Sequence, residues 1–236
     1  YQFGLRTYNG DALNSVFTVP VYGNQTGEPC YGTWCYQAYR WNLDRVTDRF
    51  GNMQIWDYAK ELGYYGGGSD RYTPRQYTRG GRLSEIRYGF RTGDVDHLNR
   101  VQFLYAHRCT SNVSTDNCIE TGTSPLKYPD APTDLECSAT TADCPHYSPA
   151  FFTKEVLRKV VTSVRPDALT ATPWSLVDDY AIASDWNDPD GTGFQTPILF
   201  LRSITRKGYN AAGQTTTLSS VLYNSSALLD NRADAI

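Results

Sequence analysis

The chain has 236 residues, among them 18 tyrosines, 19 glycines and a single methionine. That length is enough to bury about 70% of the unfolded surface, and the richness in tyrosine and glycine favours strands and turns, so we expect an all-β protein. A formal net charge of −3 argues against nucleic acid as a partner, and the lack of a run of about 18 apolar residues predicts no membrane span.

The first part of the chain has strand patterning from its first residue onward. Residues 1–5 and 16–19 predict strands, with a turn at Asn9 and Gly10 between them. Neither end of the chain shows a polar lead-in or a capping pattern. We therefore expect residues 1–236 to be a single β-rich segment of a larger protein.

The clearest pattern of strand, turn and strand lies between residues 39 and 65. Trp41 before the turn, and Trp56 and Tyr58 after it, alternate with their neighbours in the period-two pattern of a strand. The sequence predicts a β-hairpin whose aromatic residues serve packing. The glycine-rich residues 63–68 that follow predict a flexible connection outside any strand.

The turn of this hairpin is formed by residues 48–52. Asp48 can accept a hydrogen bond from a backbone N–H two residues later, and Gly51 and Asn52 are residue types that tolerate positive φ. These residues predict a tight turn, and they do not point to any catalytic reaction.

A second hairpin is predicted from residues 86–90 and 101–105. Its strands place alternate apolar residues on one face, namely Ile86, Tyr88 and Phe90 in the first and Val101, Phe103 and Tyr105 in the second. Six arginines between Arg71 and Arg91 make this part of the chain locally basic. We interpret them as a solvated strand face, with a binding patch as the alternative.

Six cysteines fall into three close pairs, Cys30 with Cys35, Cys109 with Cys118, and Cys137 with Cys144. We predict disulfides between nearest neighbours, and hence an oxidising compartment, although six cysteines leave other connectivities open. A zinc site is the competing interpretation, but the spacings do not suit it. Residues 108–150 hold four of these cysteines and predict a long loop stapled by disulfides.

From residue 151 the strand pattern resumes. The β-branched run at residues 160–164 favours a strand over a helix, and further strands are predicted before residue 204 and near residue 221. Asp178 and Asp179 are candidates for the acid and base of a glycosidase. Because adjacent strand residues face opposite sides, we expect that the two cannot share a site.

A loop rich in oxygen ligands is the best candidate for a metal site. Its ligands for calcium are Asp185, Asn187, Asp188 and Asp190, which precede a glycine. The same residues are ordinary formers of hairpin loops. Calcium is therefore kept as an alternative, and no other cofactor is predicted.

Tyrosines are frequent in the first third of the chain, and this makes a carbohydrate-binding site a second candidate beside the metal site. A sugar-binding face is a possible use of Tyr36, Tyr39, Tyr64, Tyr65, Tyr72 and Tyr77. The alternative is that tyrosine is simply a favoured strand residue whose hydroxyl reaches water.

The turn residues Asp48, Gly51 and Asn52, with Trp56 and Tyr58, resemble the core of the YD repeat found in Rhs-type proteins. The likeness continues at residues 77–89, 101–103, 151–157 and 204–208. Together these segments resemble the region at or just upstream of the repeat array in secreted Rhs/YD-repeat proteins of actinobacteria. They are more distantly similar to the B components of insecticidal toxin complexes.

The resemblance implies a shell of antiparallel β-hairpins, laid side by side in a curved or spiralling sheet, that encloses a C-terminal toxin or effector. These 236 residues contain neither the long repeat array nor an effector. We therefore predict a non-enzymatic scaffold segment of a secreted or cell-surface protein, with the rest of the parent chain as its partner. The alternative is an extracellular adhesion module that binds glycans or a cell surface.

Overall fold

The protein is all-β, as predicted. The computed structural model describes residues 1–67, 70–94, 96–109, 128–168, 172–187 and 198–223. Its strands there are β1 (Gln2–Phe3), β2 (Thr7–Tyr8), β3 (Asp11–Ala12), β4 (Val16–Tyr22), β5 (Trp34–Trp41), β6 (Leu43–Thr47), β7 (Asn52–Gly67), β8 (Asp70–Arg91), β9 (Asn99–His107), β10 (Glu155–Val164), β11 (Ser175–Asn187), β12 (Ile198–Tyr209), β13 (Thr215–Thr217) and β14 (Val221–Leu222). The strand pairs whose register is described are antiparallel.

The chain divides into two compact units. Unit 1 consists of Tyr1–Arg100, Asp134–Thr153 and Asp167–Thr170, and unit 2 consists of the remaining segments. A single segment over residues 1–236 stays a prediction, and each unit is described by itself. Within the described residues, the helices include none that is long and apolar enough to cross a bilayer.

The predicted central hairpin is formed by β6 and β7, but it is shorter than predicted, since only residues 45–47 pair with residues 53–55. Unit 1 places Trp41 on β5 instead, which pairs with β4. Its main sheet has the order β1-β6-β7-β8, while β2 with β3 and β4 with β5 form separate two-stranded sheets. The turn between β2 and β3 is at Asn9 and Gly10, which have φ of 48° and 90°. Positive φ at both central residues is the requirement of a type I′ hairpin turn. The predicted turn at these two residues is thus confirmed.

The core of unit 1 lies where residues from several of these strands meet. Its buried cluster is Leu13, Met53, Ile55 and Phe90, with the half-buried Tyr8 packed against it. The prediction that Trp41 packs in the interior is wrong, because its side chain is 57% exposed. Alternation along β7 directs Ile55 into the core, so Trp56 points to the other face and is only half-buried.

The prediction that the glycine-rich residues 63–68 lie outside any strand is wrong for the described ones. Gly63, Gly66 and Gly67 belong to β7 and are buried. A Cβ on Gly66 would lie 2.2 Å from the carbonyl oxygen of Cys144, and one on Gly67 would lie 2.6 Å from the Trp34 ring. These glycines therefore serve close packing in a strand rather than flexibility.

Unit 2 contains the strands predicted after residue 151. Its strands follow the order β9-β10-β11-β12-β13, and β14 pairs with β12. The β-branched residues of β10 form a strand, as predicted, with Val161 and Ser163 buried. The short strand β13 was not predicted. It pairs Thr215 with Tyr209 across a turn that contains Gly213 at a φ of 77°.

Ile55→Ala should strongly destabilise unit 1, because Ile55 is fully buried in its core. Removing so much buried side chain lowers the free energy of unfolding by about 2–5 kcal/mol. Leu62→Ala on the same strand is the matched control, since Leu62 is 49% exposed. Thermal unfolding of both variants measures the difference, and equal midpoints would contradict the assigned core.

Candidate functional site

The predicted turn at residues 48–52 is held by one carboxylate. Asp48 Oδ1 accepts hydrogen bonds from the backbone N–H groups of Phe50 at 2.8 Å and Asn52 at 2.9 Å, and Asp48 Oδ2 accepts one from Asn52 Nδ2 at 2.7 Å. Gly51 has a φ of 81°, a conformation that glycine adopts without steric cost. The side chain of Asp48 thus fixes the turn that joins β6 to β7.

Electrostatics of this turn favour a structural role for Asp48. The bond from the Asn52 side chain is the largest cause that lowers the pKa of the Asp48 carboxyl below its ordinary value. An exposed carboxylate with a lowered pKa is a weak base, so it is a poor candidate for a catalytic proton acceptor. On the next strand, the Tyr58 hydroxyl donates to the Leu43 carbonyl oxygen at 3.0 Å.

Two of the three predicted disulfides are present among the described residues. Cys30 bonds to Cys35 and Cys137 bonds to Cys144, with Cα–Cα distances of 5.8 and 5.9 Å. The third prediction joins Cys109, which is buried, to Cys118, which lies outside the described residues. The second disulfide lies in the predicted loop 108–150, whose residues 137 and 144 also bond to β7 and β8 through the backbone.

Half of the predicted calcium site lies outside the described residues, namely Asp188 and Asp190, and the side chain of Asn187 is not described either. Asp185 is described, and its Oδ2 accepts a hydrogen bond from Arg202 Nη2 at 3.3 Å. Within the described residues, no group of three potential metal ligands occurs. Calcium at this loop stays a prediction.

The arginines of the locally basic stretch lie on β8, and three of them, Arg71, Arg79 and Arg87, form ion pairs with carboxylates. Arg71 forms an ion pair with Asp143, and Arg87 donates two hydrogen bonds of 2.8 and 2.9 Å to Asp57. Paired charges of this kind leave little net field for binding a polyanion. The arginines of β8 are therefore neither a simply solvated face nor a continuous binding patch.

The most deeply placed of these arginines is Arg79. Its side chain is 5% exposed and forms ion pairs with Glu61 Oε2, at 3.1 Å, and with Glu136. Its guanidinium carbon lies 4.5 Å from the centroid of the Phe152 ring, and Thr153 donates to Glu61 Oε1 at 2.6 Å. The buried charges thus tie β7 and β8 to residues 136–153.

The tyrosines proposed for a sugar-binding face separate into two groups. Tyr65 and Tyr77 are buried, and burial raises the pKa of Tyr77 to about 12. In contrast, Tyr36 and Tyr64 line a cleft of about 450 Å³ together with Trp34. The two other members, Tyr39 and Tyr72, are 38% and 68% exposed and do not line it.

The side chains that line the cleft also contact one another. The guanidinium of Arg75 stacks on Trp34, with its carbon 4.1 Å from the ring centroid, and Gln76 Nε2 donates to the Tyr64 hydroxyl at 2.6 Å. Pro20 completes one side. Aromatic faces beside a few polar groups are typical of a small-ligand site.

A second pocket in unit 1 was missed by the sequence analysis. It has a volume of about 430 Å³ and contains the cations of Arg6 and Lys60, with Ser15 in its wall and Tyr36 shared with the first cleft. Arg6 and Lys60 are 54 positions apart in the sequence, so no local pattern could have joined them. Only the folding of β7 beside the first strands brings them together.

Comparisons with known proteins give distant structural likenesses. No protein-family model and no curated protein matches the chain. Similar solved structures include "Crystal Structure of TcdB2-TccC3-TEV", with 15% identity, a TM-score of 0.43 and coverage of 89% of this chain. The same protein pair in a structure with Cdc42 shows 16% identity, a TM-score of 0.42 and the same coverage. The N-terminal domain of effector protein SpvB from Salmonella typhimurium strain LT2 shows 18% identity, a TM-score of 0.41 and coverage of 74%.

The chain spans only part of each of these structures. It covers 10% of the first two and 52% of the third. At these identities and TM-scores the likeness assigns the chain to no family and carries no functional argument.

Acid should weaken the turn at Asp48, because its folded-state pKa is lowered. The stabilisation is fully present above the ordinary pKa of about 3.9 and is lost as the pH falls through the lowered folded value. Asp48→Asn keeps the size and shape of the side chain and removes its titratable carboxyl group. Thermal unfolding between about pH 6 and pH 2 should therefore show a smaller pH dependence for Asp48→Asn than for the native chain. Identical pH dependences would contradict the assignment.

Arg79→Ala should be strongly destabilising, because it removes this partner from the buried carboxylate of Glu61 and from the half-buried carboxylate of Glu136. Breaking a buried ion pair from one side costs about 3–5 kcal/mol in the free energy of unfolding. Arg91→Ala on the same strand is the control, since Arg91 is exposed and its guanidinium donates to the neutral side chain of Asn52. Denaturant unfolding should separate the two variants, and an equally small effect would show that the ion pairs add nothing.

Proposed function

We propose that this chain is a non-enzymatic scaffold segment of a larger secreted protein. In this role its antiparallel hairpins form part of the wall of a shell, and the rest of the parent chain is its partner. The observation that carries the proposal concerns the buried carboxylates. Their hydrogen bonds and ion pairs hold strands together, and they do not face an open cleft.

Three carboxylates are buried among the described residues, and each accepts a bond from another segment. Asp44 accepts one from the backbone N–H of Leu5. Glu61 bonds to Arg79. Groups held in this way favour rigidity over proton transfer to a substrate.

The third buried carboxylate, Asp179, illustrates the same use in unit 2. It accepts hydrogen bonds from Lys159 Nζ at 3.1 Å and from the Tyr209 hydroxyl at 2.7 Å. Burial alone raises the pKa of this carboxyl, but the two bonds together lower it below its ordinary value. Asp178 bonds instead to Arg206, at 2.9 and 3.0 Å. The adjacent pair therefore has separate partners, which does not suit a shared acid and base.

The resemblance to Rhs/YD-repeat proteins supports the kind of scaffold proposed. The bonds of Asp48 to Phe50 and Asn52, with Gly51 at positive φ, provide a repeatable way to close a hairpin. Hairpins laid side by side leave few exposed strand edges. The disulfides Cys30–Cys35 and Cys137–Cys144 are typical of proteins in oxidising compartments, which supports a secreted or cell-surface location.

Substitutions Asp44→Asn, Glu61→Gln and Asp179→Asn test this proposal. Each should lower the free energy of unfolding by about 1–3 kcal/mol, because buried donors lose a charged acceptor. Asp11→Asn is the control, since Asp11 is 70% exposed. Thermal unfolding measures the expected difference.

The same four variants and the native chain are assayed for hydrolysis of polysaccharides and peptides. A scaffold segment should give no turnover above the background of buffer. Turnover by the native chain that one of the three substitutions abolishes, with the unfolding midpoint unchanged, would overturn the proposal.

A further inference from the structure

The pocket that contains Arg6 and Lys60 has an unbalanced positive charge. No carboxylate lines it, and among the described residues neither cation forms an ion pair. Burial, and then the positive charge of Arg6, lower the pKa of the Lys60 ammonium. Two like charges in one pocket repel each other. An anion in the pocket would relieve this repulsion.

The wall of the same pocket offers further hydrogen-bonding groups. Thr7, Asn14 and Thr18 also line the pocket. An oxyanion that enters between the cations would therefore meet hydroxyl and amide donors as well as charge.

Tyr36 connects this pocket to the aromatic cleft. It lines both and is 61% exposed. On β4, Pro20 lines the cleft and Thr18 lines the pocket, and Pro20 is the register partner of Tyr36. One face of the β4–β5 sheet thus carries an aromatic cleft, an exposed tyrosine and a cationic pocket in succession.

We propose that this face binds an anionic polysaccharide, whose sugar rings stack on Tyr36 and in the cleft beside Trp34 while a sulfate or carboxylate group enters the pocket between Arg6 and Lys60. Aromatic side chains present an apolar face with a polar edge, which suits the mixed surface of a sugar ring. The site is separate from the proposed scaffold role, because it uses none of the buried carboxylates.

A single-stranded nucleic acid also combines rings with negative charge, but the chain favours it less. Proteins that bind such strands track the backbone with a continuous positive groove. Here the formal net charge is −3, and the arginines Arg71, Arg79 and Arg87 of the neighbouring strand are paired with carboxylates. The positive charge is therefore local, which suits spaced anionic groups on a sugar chain.

Binding to dextran sulfate, dextran and hyaluronan tests the proposal with the whole chain. Dextran sulfate and dextran share one backbone and differ in the sulfate groups, while hyaluronan carries carboxylates only. Surface-immobilised protein should bind dextran sulfate or hyaluronan and bind dextran at least tenfold more weakly, since dextran lacks the anionic groups that form charged hydrogen bonds. Equal binding of all three, or binding of none, would overturn the proposal.

Single substitutions then test where on the protein the polysaccharide binds. Lys60→Gln and Arg6→Gln should each weaken binding of the anionic polymer about tenfold, and Tyr36→Ala should weaken it through loss of stacking. Arg49→Gln removes the same charge from the exposed turn outside the pocket and should leave binding unchanged. All four residues are exposed or half-buried, and an unchanged unfolding midpoint checks that the variants fold.

The Arg49→Gln control also distinguishes binding at the proposed site from nonspecific electrostatic attraction. If Arg49→Gln weakens binding as much as Lys60→Gln does, the attraction is nonspecific and the proposed site is wrong. A poly-deoxythymidine oligonucleotide serves as the last probe. If it binds more tightly than the polysaccharides and loses affinity in Lys60→Gln and Tyr36→Ala, the face binds nucleic acid and the polysaccharide proposal is overturned.

Discussion

The buried ion pairs of Arg79 are the interaction on which unit 1 most depends. The strands β7 and β8 form a long hairpin. The charged side chains buried within it form ion pairs with residues outside the hairpin as well as within it. Glu61 on β7 and Glu136 in the long loop both bond to Arg79, and Phe152 covers its guanidinium. Because a buried charge without a partner is costly, this arginine makes the position of the loop segment part of the stability of the hairpin.

Close contacts with the backbone of β7 stabilise the same arrangement of the hairpin and the loop. Gly66 allows the Cys144 carbonyl within a distance that no side chain would permit, and Gly67 allows the Trp34 ring to lie against β7. The disulfide between Cys137 and Cys144 shortens the loop that makes these contacts. The loop is thus ordered at residues 136–146 by backbone bonds, buried charges and a covalent link acting on the same strands.

Charge in unit 1 is distributed in two ways that have different consequences. On β8, Arg71, Arg79 and Arg87 have carboxylate partners and contribute to structure. Beside β4, Arg6 and Lys60 share a pocket without a carboxylate, so their charge remains available to a ligand. A count of charged residues in the sequence cannot separate these two cases, since pairing depends on which strands are neighbours.

The sequence by itself determined the all-β class, the approximate positions of several strands, the hairpin turn at Asp48 and Gly51, and the two observed disulfides, because period-two alternation, turn chemistry and close cysteine spacing are local properties. It misjudged Gly63, Gly66 and Gly67, whose role depends on what packs against them, and it did not distinguish the exposed Trp41 from the buried Ile55. Only the tertiary structure decided which charges are paired, which tyrosines line a cleft, and that Lys60 lies in a pocket with Arg6. These are contacts between residues far apart in the chain, and only strand pairing together with the packing of the loop on the strands brings them together.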